Sequence, residues 1–385
     1  MTSLLSPFLT AVVLLLLARY YIARQENNGI PPRTVPIPDH AAETNQRPGS
    51  RLAWIDCAKG LTMLLVILGH TINTSQNPFN HILRGLIFSF HMPLFFILSG
   101  AAARLSADSG QFLNRTERTG KYLITTAMLL FAADIAVLLH KYAVGDWKNF
   151  LANTINTIVY GSGIEVHVGS ATIPAFGMEW FLLVLFCGKT LYDYLHLKLT
   201  NTRFYLSIVF CASAGAALGN IQWLPWSLDI TLAVIPFFWC GSFLKDLHMQ
   251  QRRSVIFAGA AIIWLTTFYL QYSCCHDYLR ISSRNYPLFP LCFITAAAGT
   301  VTVSQVCWLL SSCRHIKLLL FLGRNSLYLY CAHSLDYLSL PLWFCTDSIY
   351  INNLLRTALD VIVCIILVKA VEFIKNKTAP AQKTS

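Results

Sequence analysis

Three histidines and one glutamate interrupt apolar runs of this sequence: His70 in IDCAKGLTMLLVILGH, His91 in FHMPLFFILSG, Glu179 in EWFLLVLF and His333 in LGRNSLYLYCAH. Ionisable side chains inside membrane-spanning segments are expensive to bury, so they are the first places to look for function. Imidazoles and a carboxylate at one depth suit proton transfer, with one histidine as base and a carboxylate or second histidine orienting it. The same set would serve a proton-coupled transporter. Asp134, in a further apolar run, reads equally as a relay residue or as a packing contact.

Spacing adds direction. Lys59 and His70 are eleven residues apart, which is about three helical turns plus ~20°, so they share one helix face roughly 16 Å apart along the axis. A plainer reading has Lys59 snorkelling to an interface and His70 closing the helix, although a helix end could use any polar residue. Pro93 follows His91 by two. A proline there takes away the donor for the Ser89 carbonyl and kinks the helix, which suggests either a polar pocket or an ordinary kink beside a structural histidine. Trp180 follows Glu179, and Ser326 and His333, seven residues apart, face the same way with Tyr330 between them.

These residues need helices to carry them. Of 385 residues, 55% are hydrophobic and only 12% charged, about half the charged share of soluble domains, and the mean hydropathy is +0.53. A soluble enzyme, a disordered scaffold and a nucleic-acid-binding domain fit poorly. The net charge of +11 is spread between apolar runs rather than gathered in a patch, so no nucleic-acid partner is expected. After Arg51, ten apolar spans run near 54–73, 82–103, 121–140, 176–195, 204–220, 228–244, 254–273, 287–310, 317–337 and 355–374, each close to the ~20 residues a bilayer requires. The ninth is the weakest, interrupted by Arg324, Asn325 and His333. The expected fold is all-α: a polytopic integral membrane helical bundle, about ten core transmembrane helices plus one N-terminal transmembrane helix in 1–25. A Pro-rich polar linker, 26–50, leads to the membrane domain, 51–376, and a short tail, 377–385.

Seventeen Lys and Arg residues fall on one set of alternate gaps and six (Arg84, Lys141, Lys148, Arg280, Arg284 and Arg356) on the other. The excess marks the first set, which includes the linker and tail, as cytoplasmic. The N-terminus is then outside, and Lys59 lies towards the cytoplasmic end of its span. His70, His91, Glu179 and His333 share the outer half of the bilayer. Most of the twelve cysteines lie in apolar segments, and no CxxC pair suggests a metal site. Cys274, Cys275 and Cys345 read as loop residues able to form a disulfide only in an oxidising compartment.

The blocks IDCAKGLTMLLVILGH, FHMPLFFILSG, EWFLLVLF, LPWSLDITLAVIPFFWCGSFLK and LGRNSLYLYCAH, in that order between residues 51 and 374, resemble the acyltransferase-3 family, and within it the fucose 4-O-acetylase-like membrane proteins. The resemblance implies transfer of an acyl group, usually acetyl from acetyl-CoA, to sugar hydroxyls of surface or exported glycans. It implies a basic residue, usually arginine, near the start of the first core helix, which maps to Lys59, and the histidine that maps to His70. Lys59 keeps the charge but not the planar fork of arginine. Many relatives also carry a C-terminal hydrolase-like domain, whereas here about ten residues follow the last span, so acceptor recognition is expected in the bundle, its loops or a partner.

The expected catalytic residues are His70, His91 and Glu179, with Lys59 and Asp56 on the donor side and Trp180, Ser326 and His333 as further pocket residues. Arg104, Arg115 and Arg118 could meet the donor phosphates, but plain topology signals are the simpler reading for them. His70 would take the acceptor proton or be transiently acylated, with His91 or Glu179 orienting it. The expected partners are acetyl-CoA as donor substrate, a glycan or lipid-linked sugar acceptor and membrane lipids, in a bacterial inner membrane, with no tightly bound cofactor and no metal. A transporter should show inverted halves and broken helices near the midplane, and the sequence displays neither. A catalytically silent subunit of a glycan-assembly complex is a third reading.

Overall fold

Backbone N–H and C=O groups within a bilayer must pair inside their own segment, which leaves helices as the means of crossing. The computed structural model describes residues 53–72, 78–141, 145–168, 171–249, 253–313, 316–335, 346 and 348–378. The expected N-terminal membrane helix, the linker and residues 379–385 lie outside them. The described residues form an all-α polytopic membrane bundle. The first helices are α1 (Ala53–Thr71), α2 (Pro78–Phe88), α3 (His91–Ala101), α4 (Ser109–Lys141) and α5 (Trp147–Tyr160). A short antiparallel hairpin, Val166–Val168 with Ala171–Ile173, and one 3₁₀ turn, Gly177–Glu179, lead into α6 (Trp180–Lys198). Then come α7 (Asn201–Ile221), α8 (Leu228–Met249), α9 (Arg253–Cys275), α10 (Leu291–Leu310), α11 (Lys317–Arg324), α12 (Ser326–Ser334) and α13 (Ile349–Thr378).

Among the described residues, seven stretches are long and apolar enough to cross a membrane, α2 and α3 together forming one. The other three of the ten expected spans are α6, which carries Lys189 and Asp193, α13, which carries Arg356, Asp360, Lys369 and Glu372, and the divided pair α11–α12.

Several local expectations need correction. The second span is two helices rather than one kinked helix. Pro93 is the third residue of α3, where a missing N–H costs no helical bond, so it opens a helix instead of bending one. The break at Ser89–Phe90 is held by Trp264, whose Nε1–H donates to Ser89 Oγ at 2.9 Å and whose ring meets Phe90 edge-on. The ninth span divides at Asn325. The connection after α4 contains a helix that the charge pattern did not announce, α5, whose N-terminus is capped by the Asp146 carboxylate accepting from the Lys148 and Asn149 amides. Gly161 ends α5 at φ 53°, a left-handed position suited to glycine. Cys274 and Cys275 close α9 rather than lying in a loop, and both are free thiols. Cys345 lies outside the described residues.

Three helix pairs approach backbone to backbone: a Cβ at Gly215 of α7 would collide with the Ala233 amide and the Asp229 carbonyl of α8, and the other two crossings involve helices of the site. A Cβ at Gly60 would collide with the Leu319 carbonyl, and one at Gly323 with the Asp56 carbonyl, which fixes α11 on α1. Gly100 meets the Phe238 carbonyl and Gly241 the Ile97 carbonyl, which fixes α3 on α8. Small residues of this kind let membrane helices gain van der Waals contact where no hydrophobic force drives them together. The outward faces of α7 (Leu206, Val209, Phe210) and α9 (Val255, Ile262, Leu265) are exposed and apolar, as lipid contact requires.

Loops at the end where α1 finishes are pinned by one buried ion pair. Arg284 Nε donates to Asp229 Oδ2 at 2.7 Å, with both side chains at 1% exposure or less. The remaining guanidinium hydrogens reach Ser162 Oγ, the Ser282 carbonyl, Ser227 Oγ and Asp229 Oδ1, and the group lies 4.0 Å over the Trp223 ring. The ends of α5 and α7, the start of α8 and the loop before α10 are joined in this way.

Candidate active site

The site has two parts, carried by the same helices. Around half-buried Lys59 on α1, helices α3, α4, α6, α11 and α12 enclose a cavity of about 770 Å³. Its lining holds five cationic residues, Lys59, Arg118, Lys121, Lys189 and Arg324, and no carboxylate among the described residues. A smaller adjoining cavity of about 240 Å³ shares Arg118 and Lys189 and adds Arg104 and Arg115. So the arginines that read most simply as topology signals also line the hollows beside Lys59. Asp56 is not in the lining. It is buried and pairs with Arg324 Nε at 3.2 Å, which holds the Arg324 side chain at the rim.

From this cavity α1 and α12 both lead towards the imidazoles. Met63 and Lys59 line the cavity from α1, Ser326 and Tyr330 from α12. His70 lies about two turns beyond Met63, and His333 about one turn beyond Tyr330. The His70 and His333 rings meet at 5.6 Å between centroids. His70 is exposed, whereas His333 is buried. His333 Nδ1 donates to Asp360 Oδ2 of α13 at 3.0 Å, and its Nε2 is buried without a partner among the described residues. A carboxylate can only accept, so Nδ1 carries the hydrogen of this bond.

The other expected residues are arranged differently from the simplest expectation. Phe88 stands between His70 and His91, 5.8 Å from the first ring and 4.5 Å from the second. His91 itself is buried and donates from Nδ1 to the Ile87 carbonyl at 3.1 Å across the α2–α3 break. Glu179 is fully buried; Ser334 Oγ donates to its Oε1, while Oε2 has no partner among the described residues. Glu179 therefore attaches to the residue after His333, and the imidazole set against His70 is that of His333. Gly177, at φ 85°, leaves room for Glu179 Oε2, with Asp134 Oδ2 nearby. The Tyr330 hydroxyl donates to the Met178 carbonyl and ties α12 to the turn that bears Glu179. Trp180 packs its indole against Gly163 and fixes the start of α6.

Sequence reasoning missed three groups. Asp360 is an ionisable residue in an apolar span, so the signal was present, but the spacing of His333 and Asp360 on separate helices did not declare a pair. Arg84 was read as a topology charge; its guanidinium lies 4.9 Å from the Phe88 centroid, with Nε buried and unpaired, and together with Arg356 it acts electrostatically on His70. Arg324 was read as an interruption of a span and lines the cavity instead.

The arrangement places an anion-attracting hollow on the same two helices as an accessible imidazole and a buried one beside it. A family model described as an acyltransferase domain matches residues 52–371. No curated protein matches the chain.

Proposed function

The chain belongs to the acyltransferase-3 family and is a membrane acyltransferase, and from that premise we propose that it moves acetyl from acetyl-CoA to a sugar hydroxyl of a surface or exported glycan, in a bacterial inner membrane. The observation that carries this reading is the cation-lined cavity at Lys59, bordered by α1 and α12, the two helices that also carry His70 and His333. An acyl-CoA is an anionic phosphate head on a long flexible arm, and its charge matches a lining of lysines and arginines. The head sits against Lys59, Arg118 and Lys189, and the thioester reaches the His70 end. There the acceptor oxygen attacks the thioester carbonyl as His70 takes its proton. The C–S bond then breaks, and the thiolate leaves with that proton. Positive charge from Arg84 and Arg356 near His70 favours the oxyanion formed between these steps. The lining residues and the charge asymmetry of the loops support a cytoplasmic donor side.

The test is mass spectrometry of the host's surface glycans with and without the gene. Loss of an acetyl increment on one glycan supports the reading and identifies the acceptor. An unchanged glycan profile in a strain that retains the native membrane overturns it.

One observation favours a second reading. Helices α2–α3 and α11–α12 are broken spans, a feature of transporters in which discontinuous helices surround the substrate. Solute flux in proteoliposomes without any acetyl-CoA requirement would establish that alternative.

A further inference from the structure

Asp360 and His333 form a buried carboxylate–imidazole pair that the proposed mechanism does not yet use. The side chains are 3% and 4% exposed, and Asp360 Oδ2 lies 3.0 Å from His333 Nδ1. The opposite nitrogen, Nε2, has no partner among the described residues, in a place where an unpaired polar atom is costly. Its neighbour is the exposed His70 ring, 5.6 Å between centroids. Ser334, the next residue, is held by Glu179, so the end of α12 is anchored from two sides. A histidine wanted only for packing could use both nitrogens in hydrogen bonds, as a structural residue does most cheaply. Here one nitrogen is fixed by a carboxylate and the other is kept vacant next to an accessible imidazole.

We propose that the reaction runs on two imidazoles, with His333 as the buried proton acceptor behind His70 and Asp360 as its positioning residue. This rests on the acyl-transfer reading above and deepens it. As the acceptor oxygen bonds to the acyl carbonyl carbon, its proton passes to one His70 nitrogen while the other His70 nitrogen releases its hydrogen to His333 Nε2. His333 becomes an imidazolium whose Nδ1–H faces the Asp360 carboxylate. When the C–S bond breaks, the same proton returns through His70 to the departing thiolate, so both histidines end neutral and no proton is gained or lost. Asp360 does not accept the proton; it fixes the tautomer and stabilises the cation, as carboxylates do behind catalytic histidines elsewhere.

The experiment uses the full chain in native membrane vesicles of its host, which supply the acceptor, with radiolabelled acetyl-CoA as donor and incorporation into glycan as readout. Asp360→Asn keeps shape and one hydrogen-bonding group but removes the charge. It is expected to lower kcat by about 10²-fold or more while the KM for acetyl-CoA stays within about twofold. His333→Gln is expected to lose at least as much. Adding Asp360→Asn to His333→Gln should cost nothing further, because a positioning residue has nothing left to position. A merely structural pair predicts otherwise: lower membrane abundance, kcat per molecule unchanged, and losses that add. Wild-type kcat in either single variant, or additive losses in the double variant, overturns the inference. If Asp360→Asn fails to accumulate, His333→Gln decides alone by the same kcat and KM criteria. Wild-type vesicles that transfer no label to glycan remove the acyl-transfer reading and this inference with it. Wild-type transfer with unaffected variants removes the inference alone.

Discussion

Two buried polar clusters stand at the same end of the bundle, one around Arg284 and one around His333 and Glu179 beside the exposed His70, and they differ in what they leave unpaired. Arg284 has five N–H groups, and Asp229, Ser162, Ser227 and the Ser282 carbonyl accept from them. Tyr286 beside them keeps an unpaired hydroxyl, but a neutral phenol is cheaper to leave so than a charged or basic group. The other cluster leaves Glu179 Oε2, His333 Nε2 and Arg84 Nε without partners among the described residues. Both clusters are ionisable and both are buried in a membrane protein, so polarity alone does not identify a site. The distinction lies in satisfaction: a closed network holds loops in place, and an open one keeps reactive atoms available.

The comparison can be broken by substitution. The largest effect is expected at His70→Gln, which should cut glycan acetylation by ~10²–10⁴-fold while membrane abundance and melting temperature stay near wild type. Recovery of wild-type acetylation in this variant would place His70 in the structural class. Arg284→Ala should do the opposite. Leaving Asp229 buried and unpaired costs about 3–5 kcal/mol, to be read as a lower Tm in detergent, with the surviving molecules retaining their turnover. A folded Arg284→Ala protein with normal Tm and lost turnover would reverse the two assignments.

Smaller effects sharpen the same contrast. Lys59→Ala should raise the KM for acetyl-CoA by about tenfold, equivalent to ~1.4 kcal/mol, with little change in kcat, and Lys59→Arg should retain part of the affinity. Unchanged KM and unchanged turnover in the alanine variant would remove Lys59 from the donor side. The smallest effect is expected at Asp146→Ala, on the exposed cap of α5. Loss of an N-cap costs ~1 kcal/mol, and because α5 ends at the loop that meets Arg284, the loss should appear in thermal stability and not in kcat.

Much of this architecture was legible in the residues, and the illegible part has a physical pattern. Apolar runs of spanning length declared α1, α4, α7, α8, α9 and α10, because burial in lipid demands an uninterrupted apolar helix. His70, His91, Glu179 and His333 declared themselves by standing in such runs. Pro93 was visible, but its consequence depended on whether it fell inside a helix or at the start of one, and the break at Ser89–Phe90 depends on Trp264 of a distant helix. The same holds for partners. Asp56 with Arg324, Asp229 with Arg284 and His333 with Asp360 are pairings between separate elements. They are set by which faces of two helices meet, and periodicity along one helix contains no information about its neighbour. That is why His333 could be picked as a pocket residue while the carboxylate behind it could not.

The glycine contacts also say where this molecule is able to move. With Gly60 and Gly323 at one crossing and Gly100 and Gly241 at another, no side chain separates the paired backbones to cushion a slide. Each pair therefore travels as one rigid lever, α1 with α11 and α3 with α8. Gating that admits a donor or releases a product is therefore expected at seams outside these crossings, such as that of α12 and α13 against α1. Distance labels within a lever should remain constant through the catalytic cycle, and labels across the α1–α13 seam should report its opening.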